Sequence, residues 1–194
     1  MRVLLIAVNA KYIHSNPAVY SLRAYAQAAL VDQPEVGIEI AEYTINQNTE
    51  NILADIYRHR PDIAAFSCYI WNWNTIQELL PELPKLLPDT KLWLGGPEVS
   101  FHAEKILAQY TQLTGIMVGE GEETFTQLVR FYHAPKGQLQ DIPGLVLPQG
   151  RTQPRELTDM SKLPFLYEDL GKFQNRIIYY ESQRGCPFRC AYCL

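Results

Sequence analysis

The sequence predicts an open α/β fold built on a parallel sheet, and three observations carry that expectation. Apolar runs rich in branched residues alternate with amphipathic stretches at helical spacing. The alternation repeats about five times in some 130 residues, which specifies parallel strands with crossover helices on both faces. Glycines stand where the later apolar runs end. The expected class is flavodoxin-like (Rossmann-like), with five parallel strands in the order 2-1-3-4-5.

Each element has its own reason. Residues 2–8 are continuously apolar, as in a strand buried on both faces. Residues 15–30 place Val19, Leu22, Tyr25, Ala26 and Ala29 at helical spacing, with Ser15 or Asn16 as cap before Pro17. Residues 36–43 alternate with period two and form a half-exposed second strand. A short helix over 49–59 groups Ile52, Leu53 and Ile56, and 62–68 is a second buried strand. Residues 74–87 are helical but interrupted by Pro81 and Pro84, so a kink or break is expected. A strand over 91–94, a helix over 98–110, a strand over 114–118 and a helix over 122–132 complete the unit. Beyond it, 144–147 and a partner past Gln149-Gly150 form a small hairpin appendage, 157–170 a linker, and 176–181 a last strand. The expected divisions are 1–135, 136–175 and 176–194.

Composition narrows the function. Hydrophobic residues make up 47% and charged residues 20%, which is globular rather than disordered. A net charge of −4 provides no basic field for nucleic acid or anionic lipid. The opening apolar run is too short to span a membrane and lacks a cleavage-type flank, so the expected compartment is the cytoplasm. There thiols are reduced and free for metal.

Ligands of an open parallel sheet sit beyond the carboxyl ends of its strands. Those ends read Asn9-Ala10-Lys11, Ser67-Cys68-Tyr69, Gly95-Gly96-Pro97-Glu98 and Gly119-Glu120-Gly121-Glu122. Neither a dinucleotide fingerprint nor a Walker loop is present. Two glycine pairs at adjacent ends, beside a serine at a third, favour a ligand slot over two ordinary turns. The bland readings are a buried Cys68, Trp71 and Trp73 as covers of the sheet end, and Glu120, Glu122 and Glu123 as acids favoured by a helix dipole.

Three of the four cysteines fall within eight positions, Cys186, Cys190 and Cys193, in the run Arg184-Gly185-Cys186-Pro187-Phe188-Arg189-Cys190-Ala191-Tyr192-Cys193. Three thiolates so placed hold three irons of a cubane cluster and leave the fourth open, whereas an electron carrier caps all four. Zinc is the weaker reading, because no fourth ligand is near.

This cysteine motif resembles that of radical S-adenosylmethionine (SAM) enzymes. The Ser67, Gly95-Gly96-Pro97-Glu98 and Gly119-Glu120-Gly121-Glu122 loops resemble the cobalamin-binding domain that precedes the barrel in one group of them. The resemblance implies a 4Fe–4S cluster on Cys186, Cys190 and Cys193 that cleaves SAM reductively, and cobalamin that assists methyl transfer or a rearrangement on a small molecule. It also implies a reductant such as flavodoxin or ferredoxin. The cobalamin nucleotide tail would pass between Ser67 and Gly95-Gly96. His14 lacks the acid and glycine that accompany an axial histidine, Asp-x-His-x-x-Gly, so it is expected to stand at the helix start without touching cobalt. On this reading the chain is an N-terminal portion of a longer enzyme, inactive alone. The alternatives are a cobalamin sensor module and a flavodoxin-like domain for another small ligand or partner.

Overall fold

A computed structural model describes residues 1–186, 188, 190 and 191. Among them seven strands form one sheet: β1 (Arg2–Asn9), β2 (Gly37–Thr44), β3 (Ile63–Ser67), β4 (Lys91–Gly95), β5 (Gly115–Met117), β6 (Leu145–Leu147) and β7 (Gly150–Arg151). The order is β2-β1-β3-β4-β5-β6-β7. β1 to β5 are parallel throughout, so the expected 2-1-3-4-5 arrangement is present.

Successive side chains of β1 point to opposite faces, and the run is apolar because both faces are covered. Leu4, Ile6 and Val8 join Ile52 and Ile56 of α2 (Thr49–His59) and Ile76 and Leu79 of α3 (Trp73–Leu79). Val3, Leu5 and Ala7 join Val19 and Ala26 of α1 (Pro17–Ala29) and Phe125, Leu128 and Val129 of the last helix. The proline-bearing stretch breaks as expected, with α3 ending at Leu79 and a single turn, α4, spanning Leu83–Leu86.

Four expectations are corrected. The sheet has seven strands rather than five, because the hairpin is no appendage but adds β6 and β7 antiparallel to β5. Gly144 makes that junction: its φ is +83°, and a Cβ there would meet Thr124 Oγ1 at 2.8 Å. The helix expected over 98–110 is two pieces, α5 (Pro97–Ser100) and α6 (Ala103–Gln109). The first turn is bound to the strand ends, with Ser100 Oγ donating to the Gly96 carbonyl at 2.8 Å, and the axis restarts afterwards. The linker packs, since Leu166, Tyr167 and Phe173 are buried against α1. Tyr167 and Phe173 lie 4.7 Å apart, edge to face, with Tyr20 against both. Finally, 176–181 is not a strand; Ile177 makes one parallel bridge to His14. The last helix, α7 (Glu122–His133), starts where expected.

Candidate functional site

The carboxyl ends of β3, β4 and β5 open into a cavity of about 1220 Å³. Its floor is Leu5, Ala65 and Met117, on the face shared with α1 and α7, and its far wall is the segment through Tyr179, Tyr180 and Arg184. A large ligand with one flat apolar part fits such a space: the floor is hydrocarbon and the rim polar.

The glycines on the rim have different causes. Gly96 (φ +110°) is dictated by packing, because a Cβ there would stand 2.4 Å from the Cys68 carbonyl oxygen. β3 and β4 come together at that point, with the Cys68 N–H donating to the Gly95 carbonyl at 2.7 Å. Gly95 faces Met117 at ordinary van der Waals distance. Gly119 (φ +86°) is open: a Cβ there would meet nothing within 4 Å, as at Gly185 on the far wall. Gly121 abuts Leu22 of α1, where a Cβ would come within 2.9 Å.

The loop after β3 is braced from below. Asn72 is fully buried; its amide donates to the carbonyls of Val8 (3.1 Å) and Ser67 (2.8 Å), and its oxygen accepts from the Tyr69 N–H at 2.8 Å. Tyr69 thereby reaches the cavity, its ring stacked on Trp71 at 4.4 Å. Cys68 is fully buried and burial pushes its thiol up, which makes it a packing residue and no nucleophile. Ser67 and Pro97 line the cavity, as do Gly95, Gly96, Gly119, Glu120, Gly121 and Glu122, whereas Cys68 and Glu98 do not.

The β1 end is occupied by its own polar network. Asn9 donates to Glu42 (2.9 Å) and to the His14 carbonyl (3.1 Å); Ala10 and Lys11 stand outside the lining. Asn16 holds the N-cap position of α1 without capping it and turns its amide to Ser67 Oγ at 3.3 Å. Glu42 also accepts from Tyr20 (2.6 Å) and from both terminal nitrogens of Arg176 (2.7 and 3.0 Å). Burial alone would raise the Glu42 carboxyl; the bonds from Arg176, Tyr20 and Asn9 outweigh it and leave the carboxyl lowered. The His14 ring stacks on Tyr179 and its Nδ1 is engaged by the Tyr179 hydroxyl.

On the β5 side a second carboxylate is held the same way. Glu122 opens α7 and is 3% exposed. It accepts from Ser21 (2.7 Å) and from Arg184 (2.5 and 3.0 Å), and although burial opposes ionisation its carboxyl lies below the ordinary value. Glu120 accepts from the Thr158 N–H at 2.6 Å.

Arg176 and Arg184 were not among the residues singled out from the sequence. Arg184 had one signal, its place two positions before Cys186; Arg176 had none. Cys186 and Cys190 are exposed, and Cys193 lies outside the described residues. Among the described residues no three His, Cys, Asp or Glu side chains converge on one point.

Comparison with known proteins gives a family and a fold. The model of the family described as B12 binding domain matches residues 3–129. The hopanoid C-3 methylase of Methylococcus capsulatus is 28% identical over 153 residues, covering 74% of this chain and 30% of its own length. The cobalamin-dependent radical SAM methyltransferase TokK of Streptomyces tokunonensis is 24% identical over 153 residues, covering 69% of this chain and 22% of its own length. The chain therefore spans less than a third of these curated relatives. The solved structure of the cobalamin-dependent SAM radical enzyme OxsB, with aqua-cobalamin and SAM bound, superposes with a TM-score of 0.79 at 20% identity, over 99% of this chain and 28% of that one.

Proposed function

The chain belongs to the B12-binding domain family, and from that premise we propose that it holds cobalamin in the carboxyl-edge cavity as the N-terminal part of a radical SAM enzyme. The observation that carries the reading is the open Gly119 position above an apolar floor, beside the segment that leads to Cys186. The cavity is large enough for the flat, mostly uncharged bulk of a corrinoid, and its rim offers hydroxyls and backbone groups for amide side chains.

Residues 1–135 form the cobalamin-holding unit, 136–175 close its edge and face, and 176–194 begin the radical SAM part. Ser67, Tyr69, Gly95, Gly96, Pro97, Gly119, Glu120, Gly121 and Glu122 contact the corrinoid, with the nucleotide tail between Ser67 and Gly95. Asn9, Ala10, Lys11, Cys68 and Glu98 act by supporting the loops. Cys186, Cys190 and Cys193 would hold a 4Fe–4S cluster, whose chemistry when bound would be one-electron reduction of SAM; the reductant would be a small flavodoxin- or ferredoxin-type carrier. The cobalamin supplies methyl transfer, or assists a ring-forming rearrangement. The chain's own part is to bind, orient and exclude water. Among the described residues no helix is long and apolar enough to cross a membrane.

The test is retention of hydroxocobalamin. After removal of unbound ligand, the purified chain keeps a corrin absorption spectrum in one-to-one ratio. Loss of the corrin bands on desalting overturns the assignment. Anaerobic iron and sulfide reconstitution, with and without Cys190→Ala, tests the cluster separately.

A further inference from the structure

We propose that Arg184 is a positioning residue: through Glu122 it fastens the approach to the cysteine loop onto the cavity, so that occupancy of the cavity and the placement of Cys186 are coupled. The inference rests on the cobalamin reading above and adds to it a physical link between the two cofactor sites.

The link is built from one buried carboxylate. Glu122 begins α7, directly after the Gly119-Glu120-Gly121 loop that forms the open side of the cavity. Ser21 of α1 donates to one of its oxygens, and the Arg184 fork grips both. Arg184 also donates to Glu181 at 2.8 Å and to Glu120 at 3.4 Å. Two helices and the chain leading to Cys186 therefore meet at one group. The pair is far from a surface contact, with side-chain exposures of 18% for Arg184 and 4% for Glu122. A planar two-point grip fixes orientation as well as distance, which a lysine cannot do.

Ser21, Glu120, Glu122 and Arg184 all line the cavity. A ligand lodged there thus touches the clamp itself, and an undocked tail removes one wall. A ligand that binds the docked arrangement better must shift the tail towards it, and the docked tail must tighten the ligand by the same factor. In this way a filled cobalamin site sets where the first cysteine stands.

The experiment reads release of the segment in the metal-free chain. Cys186 is exposed while the segment is docked, so the reporter is cleavage by the glutamate-specific protease Glu-C after Glu181, whose carboxylate Arg184 holds. Cleavage is followed by peptide mass mapping, with and without hydroxocobalamin, in the unmodified chain, Arg184→Ala and Arg184→Lys. Buried Cys68, read by iodoacetamide labelling, is the internal reference for intactness. Expected is several-fold faster cleavage after Glu181 in unliganded Arg184→Ala, loss of the slowing that hydroxocobalamin imposes in the unmodified chain, and corrin affinity weakened about fivefold. Arg184→Lys falls between, since it keeps the charge but not the fork. Equal cleavage rates and equal protection in the unmodified chain and Arg184→Ala overturn the proposal. If Cys68 becomes labelled in Arg184→Ala, the variant has opened globally, and Glu122→Gln, which keeps the side-chain shape, is read by the same criteria. An unmodified chain that retains no corrin overturns the functional reading instead, and the unliganded cleavage rates then decide the role of Arg184 by themselves.

Discussion

The two flanks of the sheet's carboxyl edge are built on opposite plans. At the β1–β2 flank, polar groups fill the space beyond the strand ends: the side chains of Asn9, Tyr20 and Arg176 and the backbone N–H of Asn16 all converge on Glu42. At the β4–β5 flank, Gly119 leaves space open and the buried Glu122, with Glu120 beside it, stands at its margin. Each flank has one arginine from the C-terminal segment gripping one glutamate with both terminal nitrogens, half-buried Glu42 in one case and buried Glu122 in the other. The first pair closes a network internal to the fold; the second faces the cavity. The contrast teaches that the same ion pair serves as a staple where its surroundings are saturated and as a link between sites where they are not.

Breaking the saturated flank has the largest expected effect. Glu42→Ala leaves the Arg176 guanidinium, 15% exposed, without its counter-charge and strips Tyr20 and Asn9 of their acceptor. Removing one partner of a fully buried pair costs about 3–5 kcal/mol and of an exposed one about 1 kcal/mol or less, so this half-buried pair should cost about 2–3 kcal/mol. Urea unfolding followed by far-ultraviolet circular dichroism should show a loss of that size, and a loss below about 1 kcal/mol would mean the network carries no net stability.

Acid should dismantle both flanks together. Glu42 and Glu122 each have a carboxyl lowered from the ordinary value of 4.5 in the folded chain. A group depressed on folding stabilises fully above its unfolded value and loses that contribution as pH falls through its folded one. Stability is therefore expected to be level above about pH 5 and to decline below 4.5. In Glu42→Gln the decline should be shallower; an unchanged acid limb would show that Glu42 is not the group responsible.

The glycines sharpen the contrast within the open flank. Gly96→Ala drives a Cβ against the Cys68 carbonyl in a left-handed conformation, so stability should fall by about 1–3 kcal/mol. Gly119→Ala meets no neighbour and carries only the torsional strain, about 1 kcal/mol, while its methyl group enters the ligand's space. Its signature is weakened corrin retention out of proportion to the stability lost. If both variants lose retention only in step with stability, Gly119 does not face the ligand.

Much of this was legible in the sequence where the signal is local. The order of β1 to β5 follows from long apolar runs separated by helical periodicity, and Pro17 marks the start of α1. The hairpin's place in the sheet was not legible, because strands of three and two residues carry almost no period. Gly96 was legible as a turn-like position but not its cause, the approach of the Cys68 backbone from another strand. The ion pairs were invisible for a simpler reason: Glu42 and Arg176 are 134 positions apart, Glu122 and Arg184 are 62, and no local pattern announces such partners.

The smallest expected effect comes from His14, which stands on the saturated flank. Its Nδ1 is taken by the Tyr179 hydroxyl and its ring lies against the Tyr179 ring, with centroids 5.9 Å apart. A histidine committed in this way is a brace for the C-terminal segment, beside the bridge in which the Ile177 N–H donates to the Ile13 carbonyl and the Ser15 N–H donates to the Ile177 carbonyl. His14→Ala should therefore cost about 1 kcal/mol, the worth of one hydrogen bond and a partly exposed contact. The visible spectrum of the retained corrinoid should be unchanged. A shift of the corrin bands in His14→Ala would place this histidine on the metal and move the ligand across to the flank that the polar network fills.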